Sequence, residues 1–188
     1  MHDLTLSSYK DVGMQEVRDL HKGNMVEELA KIKDRAIEET DEDLAEWMRV
    51  YSANKLKVPM YDGIKDVLNR LHEKANLVIN TSAIKENCLP LLERDGILDL
   101  FSFIASRELS TSKIEKFKVI AERFSTQVEE MLFITDTIGD IREAYAAKVP
   151  TIAVTWGVHT AEEFSHEPAD SILAIVNTTD ELETLLLK

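Results

Sequence analysis

Met131-Leu-Phe-Ile-Thr-Asp136-Thr-Ile-Gly-Asp140-Ile-Arg-Glu-Ala-Tyr145-Ala-Ala-Lys148 is the stretch whose reading decides the fold. Met131 to Thr135 is a short apolar run that reads as a buried strand, and Ile138 to Lys148 returns to helical spacing. Between them the chain turns at Asp136-Thr137, and a second aspartate follows at Asp140. A short strand, a tight turn and a helix make the repeating unit of a parallel α/β sheet.

Working outward, the same alternation continues. Upstream lie a helix opened by Asp62-Gly63 (Ile64, Val67, Leu68, Leu71), a strand from Asn76 to Asn80 and a helix from Ile84 to Asp95 that stops at Gly96. A strand from Phe101 to Ala105 and a helix from Ser112 to Phe124 come next. Downstream are strands at Thr151 to Thr155 and Ser171 to Ile175, then a helix from Thr179. Residues 58–188 are therefore expected to form a doubly wound, Rossmann-like α/β core with a parallel sheet covered by helices on both faces.

Before Val58-Pro59 the pattern is helical. Gln15 to Leu20 is a short helix broken at Gly23-Asn24, and a longer one runs from Asn24 to Glu39 with Met25, Leu29, Ile32 and Ala36 on one face. Thr40 or Asp41 caps a third helix carrying Leu44, Trp47, Met48 and Tyr51. Leu4-Thr5-Leu6 is the one candidate strand fragment. Residues 1–57 thus read as a small helical appendage.

Bulk properties set the outer limits. A chain of 188 residues buries roughly 70% of its unfolded surface and needs no covalent staple. Twenty-two basic against thirty-five acidic residues give a net charge of −13, which repels nucleic acid and anionic membrane. A phosphorylated ligand is repelled too, so a phosphate site here needs its own local cation. The lone Cys88 gives no internal disulfide and suits a reducing compartment. With no apolar run of spanning length and no signal pattern, a cytoplasmic location is expected.

Ligands of open parallel sheets bind beyond the carboxyl ends of the strands. Those ends carry Thr81-Ser82, then Lys113 and Lys116 after the second strand, then Asp136 and Asp140, and then Trp156-Gly-Val-His159. Two carboxylates four residues apart across a turn suit a small hard cation such as Mg2+. A threonine or serine hydroxyl holds a phosphoryl oxygen, and a lysine offsets the charge that accumulates on it. Helix capping is the rival role for Asp136 and Asp140. Of the histidines, His2, His21 and His72 read as surface residues, His159 follows the fourth strand and reads either as lining the pocket or as an ordinary loop residue, the latter preferred, and His166 has no role. Cys88 and Trp47 read as packing residues, and so does Trp156 despite its place at the mouth.

Met131 to Ala144, continued by Val149-Pro-Thr-Ile-Ala-Val-Thr-Trp-Gly157, resembles the fourth motif of the haloacid dehalogenase (HAD) superfamily, in its phosphoglycolate-phosphatase-like branch. Leu77-Val-Ile-Asn-Thr81 is similar to the second motif, and Lys113 to the third, with Lys116 as a substitute. The likeness covers about the last two-thirds of the chain, with order and spacing kept. It implies hydrolysis of a small phosphate ester through an aspartyl-phosphate, with Mg2+ on Asp136 and Asp140. Thr81 and Ser82 would bind the phosphoryl group and Lys113 would neutralise it. Residues 1–57 would be a remnant of the cap.

The first motif of that family, an apolar strand ending Asp-x-Asp, has no counterpart. The one Asp-x-Asp is Asp41-Glu42-Asp43, preceded by Ala36-Ile-Glu-Glu-Thr40 and better explained as an acidic helix start. A first central strand is expected to be missing with it. The preferred explanation is an omitted N-terminal segment, with a misplaced start codon or a decaying gene as alternatives. This chain is accordingly expected to be inactive alone, and a non-catalytic binding or regulatory protein is the alternative reading. A receiver-type signalling domain fits less well, because its acidic pair sits at the first strand rather than after the threonine and lysine.

Overall fold

The computed structural model describes residues 14–24, 27–28 and 56–187. The helix expected at 24–39 is covered there only at residues 24, 27 and 28. The third helix, Leu4-Thr5-Leu6 and Asp41-Glu42-Asp43 lie outside the described residues.

The elements follow the expected alternation. Helix α1 is Met14–Leu20, α2 is Ile64–His72, β1 is Leu77–Asn80 and α3 is Lys85–Arg94. Strand β2 is Phe101–Ala105, α4 is Lys113–Phe124, β3 is Phe133–Thr135 and α5 is Ile138–Ala146. Then come β4, Thr151–Val154, α6, Ala161–Phe164, β5, Ala174–Val176, and α7, Thr179–Leu186.

All pairings are parallel. β1 pairs with β2, with Val78 opposite Phe103. β4 lies between β3 and β5, with Ile152 opposite both Ile134 and Ala174. Among the described residues these form two sheets, β1-β2 and β3-β4-β5, and no ladder joins β1 to β3. Side chains bridge the two instead. Val78 and Phe103 from one sheet and Phe133 from the other pack on the same cluster of Phe117, Ile120 and Ala144. The Phe117 and Phe133 rings meet edge to face at 5.1 Å. Helix α4 is thus the element that both sheets share.

Alternation along β4 explains why helices cover both faces. Ile152 and Val154 point to a cluster with Leu182 of α7 and Ile64 of α2. Ala153 points the other way, to Ile138 and Ile141 of α5 and Phe164 of α6. All four β4 residues are buried, which is why the segment reads as a continuous apolar run.

Two strands begin later than the apolar pattern predicts. Met131 ends a 3-10 turn, Val128–Glu130, so β3 begins at Phe133. Ser171 closes a turn onto Pro168, its amide and hydroxyl both donating to the Pro168 carbonyl at 2.9 and 2.7 Å, and β5 begins at Ala174. The short α6 was not anticipated, although Thr160 and Glu163 form a capping box, a spacing visible in the sequence.

Candidate functional site

The turn from β3 into α5 carries both aspartates, and Thr137 caps the helix. Its hydroxyl accepts from the Asp140 amide at 3.3 Å. The capping role considered for the aspartates therefore falls to their neighbour, and both carboxylates are left for other work. Asp140 accepts from the Thr135 hydroxyl through Oδ2 at 2.9 Å. Asp136 accepts from the Val158 amide through Oδ2 at 2.9 Å, and its carbonyl accepts from the His159 amide at 3.1 Å.

That loop after β4 can close over Asp136 only because residue 157 is glycine. A Cβ at Gly157 would run into the Asp136 side chain. Asp136 Oδ1 accepts no hydrogen bond among the described residues.

Lys113 lies at the head of α4, whose N-cap Ser112 accepts from the Glu115 amide. It is 3% exposed, and its ammonium reaches Asp140 Oδ1 at 3.3 Å and donates to the Ser82 hydroxyl at 3.4 Å. Lys116, one turn on, is completely buried and donates to the Thr81 carbonyl at 2.7 Å. Burial, with Lys113 as the second cause, pulls its pKa down to about 8. The two lysines thus face different partners. Thr81 continues the β1-β2 ladder through its amide, donating to Ala105 at 3.0 Å, and its hydroxyl accepts from the Ala83 amide at 3.1 Å.

Ser82, Lys113 and Asp140 therefore converge from the end of β1, α4 and the β3–α5 turn, with Thr81 held beside them by Lys116 and Asp136 at the same turn. Carboxylate oxygen is the donor that Mg2+ prefers, and that ion is commonly held by one or two carboxylates with waters and substrate phosphate completing its shell. Asp136 offers such donor chemistry through an oxygen that takes no hydrogen bond among the described residues, while both oxygens of Asp140 are engaged by Thr135 and Lys113. Among the described residues no group of three or more His, Cys, Asp or Glu side chains gathers to hold a metal by itself.

Glu143 and Asn24 have no site role in the sequence reading, and the structure gives His159 a buried place that the reading of an ordinary loop histidine does not. Glu143, one turn beyond Asp140 on α5, accepts from the Lys113 amide at 2.9 Å and from the Asn24 side chain at 3.3 Å. The spacing Asp140-x-x-Glu143 was the available signal. His159 is buried at 1% exposure; its Nδ1 accepts from the Ile138 amide at 3.3 Å, so its Nε2 donates to the Arg18 carbonyl at 3.1 Å. Burial holds its pKa below the ordinary histidine value, in keeping with a neutral ring. Asn24 also donates to the Thr111 carbonyl at 3.0 Å. Trp156 packs face to face on Tyr61, ring centroids 5.0 Å apart.

An α/β core with this order of threonine, lysine and paired aspartates matches the family model of haloacid dehalogenase-like hydrolases over residues 2–154, and the chain belongs to that family. Its relatives include the phosphoglycolate phosphatase of Salmonella typhimurium, 28% identical over 117 residues, 60% of this chain and 46% of that protein. The phosphoglycolate phosphatase of Nitrosococcus oceani is 27% identical over 163 residues, 80% of this chain and 72% of that one. The chain spans about half the length of the first curated relatives it matches.

Solved structures share the fold. A predicted phosphatase from Clostridium acetobutylicum superposes with a TM-score of 0.71 at 21% identity, covering 92% of this chain and 81% of that one. CbbY from Rhodobacter sphaeroides, solved with phosphate, gives 0.69 at 17% identity, covering 89% and 79%.

Proposed function

We propose that this chain carries the phosphate- and metal-handling part of a Mg2+-dependent phosphatase for small phosphate esters, of the phosphoglycolate-phosphatase kind. The observation that carries the proposal is Lys113, a buried cation whose ammonium stands between Asp140 and Ser82 at 3.3 and 3.4 Å. A buried ammonium between a carboxylate and a hydroxyl at strand ends suits an anion placed beside a metal.

Asp136 and Asp140 would hold Mg2+, which would neutralise phosphate charge in a strongly acidic protein. Thr81 and Ser82 would position the phosphoryl oxygens through hydroxyl and backbone donors. Lys113 would offset the charge that builds up in transfer, and Lys116 would fix the Thr81 carbonyl so that the hydroxyls stay in place. The division into a cap remnant at 1–57 and a core at 58–188 belongs to the same reading. So does the cytoplasmic location; no helix among the described residues is long and apolar enough to cross a membrane.

The nucleophile is not among these residues. The single Asp-x-Asp, Asp41-Glu42-Asp43, has no apolar strand before it. This 188-residue polypeptide is therefore expected to bind phosphate with Mg2+ and to turn over a generic phosphate ester negligibly. Lys113→Met should weaken binding of inorganic phosphate about tenfold or more, the loss of one charge-assisted hydrogen bond, and leave Mg2+ affinity equal or higher because a competing cation has gone. Equal phosphate binding by both proteins would remove Lys113 from the site. Mg2+-dependent turnover that disappears in Asp136→Ala would overturn the expected inactivity.

A further inference from the structure

The segment from Arg18 to Asn24 leaves α1 and lies against the turn that holds both aspartates, and its contacts are mostly backbone. The Gly139 amide donates to the His21 carbonyl at 2.8 Å. Arg142 Nη1 donates to the Lys22 carbonyl at 3.0 Å, and His159 holds the Arg18 carbonyl. Asn24 closes the run on Thr111 and Glu143. The His21 carbonyl is met by one of the first amides that a helix leaves unpaired, and the Lys22 and Arg18 carbonyls are met by the Arg142 and His159 side chains.

Residue 139 sits between Asp136 and Asp140 in the sequence and has no side chain. A Cβ added there would strike the Gly23 carbonyl oxygen and come within 2.9 Å of the Gly23 carbonyl carbon and of His21 O. Both obstacles are backbone, so no rotamer change relieves them. The backbone of Gly139 is helical, and α5 itself would be better served by alanine at that position. The glycine therefore works against helix propensity and in favour of the close approach.

The geometry points to Gly139 as the seat on which Arg18–Asn24 docks, and to Glu143 as the latch that joins the docked segment to the lysine helix. Glu143 accepts from the Asn24 side chain and from the Lys113 amide at once. The segment thereby becomes a fixed wall beside the Asp136, Asp140 and Lys113 constellation, and both residues act by positioning. This rests on the reading of that constellation as the phosphate and metal site, while the docking stands on its own geometry.

Residue-resolved hydrogen exchange, corrected for intrinsic rates, and limited trypsin cleavage after Arg18 and Lys22 test it. In Gly139→Ala the residue-139 amide should exchange about tenfold faster, the scale of one net backbone hydrogen bond, and trypsin should cut the segment correspondingly faster. The amides of Ala144 and Tyr145 should be unchanged, which separates undocking from misfolding. Glu143→Ala should expose the segment and, unlike Gly139→Ala, the Lys113 amide as well. Wild-type rates at residue 139 and at the trypsin sites in Gly139→Ala would overturn the seat, and an unchanged Lys113 amide in Glu143→Ala would overturn the latch. A parallel Mg2+ titration keeps the two readings apart: absence of Mg2+ binding to the wild type would count against the site, whereas exchange and cleavage alone decide the docking.

Discussion

The two sheets of this protein are built to different standards. In the β3-β4-β5 half, every β4 residue is buried and α5 buries Ile138, Gly139, Ile141 and Ala144. In the β1-β2 half, no β1 residue is fully buried and α3 buries none. The first half has a central strand with partners on both sides and helices on both faces. The second pairs with itself alone among the described residues. The carboxylates therefore stand beside a fully buried central strand, and the hydroxyls of Thr81 and Ser82 beside a strand that is only half-buried. What ties the halves at the site is one turn of α4, with Lys116 on the Thr81 carbonyl and Lys113 on Asp140.

Truncation gives the largest contrast. Ile141→Ala, at a completely buried position, should cost about 2–5 kcal/mol through lost burial and a cavity. Val78→Ala on half-buried β1 should cost about 1 kcal/mol. Denaturant midpoints at constant slope measure both, and equal losses would erase the distinction between the halves.

Lys116 gives an intermediate effect with a sign set by pH. Its pKa falls from 10.5 unfolded to about 8 folded, so between those values the unfolded chain binds more protons than the folded one. Its contribution to stability therefore rises as pH increases from 8 to 10.5 and is flat below 8. Lys116→Met should flatten that part of the stability curve relative to wild type, and it should also release the Thr81 carbonyl. An unchanged pH difference would show that the ammonium is not desolvated.

Thr137→Ala removes the cap of α5 and should cost about 1 kcal/mol while leaving Asp136 and Asp140 able to bind Mg2+. A loss of metal affinity as large as that of an aspartate variant would mean that the cap and the site are one device. The smallest effect is expected at the exposed Lys118–Glu115 pair, 2.8 Å apart with both side chains more than half exposed. Lys118→Ala should leave stability within about 0.5 kcal/mol.

Much of this architecture was legible because it depends on local rules. β2 was read residue for residue, and α2, α4 and α5 to within a few residues, since helical spacing and short apolar runs carry their own signals. The approach of Ser82, Lys113 and Asp140 was expected along one edge of one sheet, whereas among the described residues it spans the ends of two sheets through Lys113. The start of β5 was misread because Ser171 spends its donors on Pro168, a local choice that apolar pattern does not report. The contacts of Asn24 and His159 were not legible: each depends on a partner more than a hundred residues away, Glu143 for the one and Arg18 for the other. Lys113 is preferred to Lys116 in the sequence for its place at the head of the helix, and their different partners become visible only when the helix is set against both sheets.

The most direct test of the site is a Mg2+ titration followed by backbone amide shifts in wild type and in Asp136→Asn. The account predicts saturable shifts centred on residues 135–140 and 157–159 in the wild type and their loss in the variant. No saturable response in the wild type, or the same response in both proteins, would contradict it.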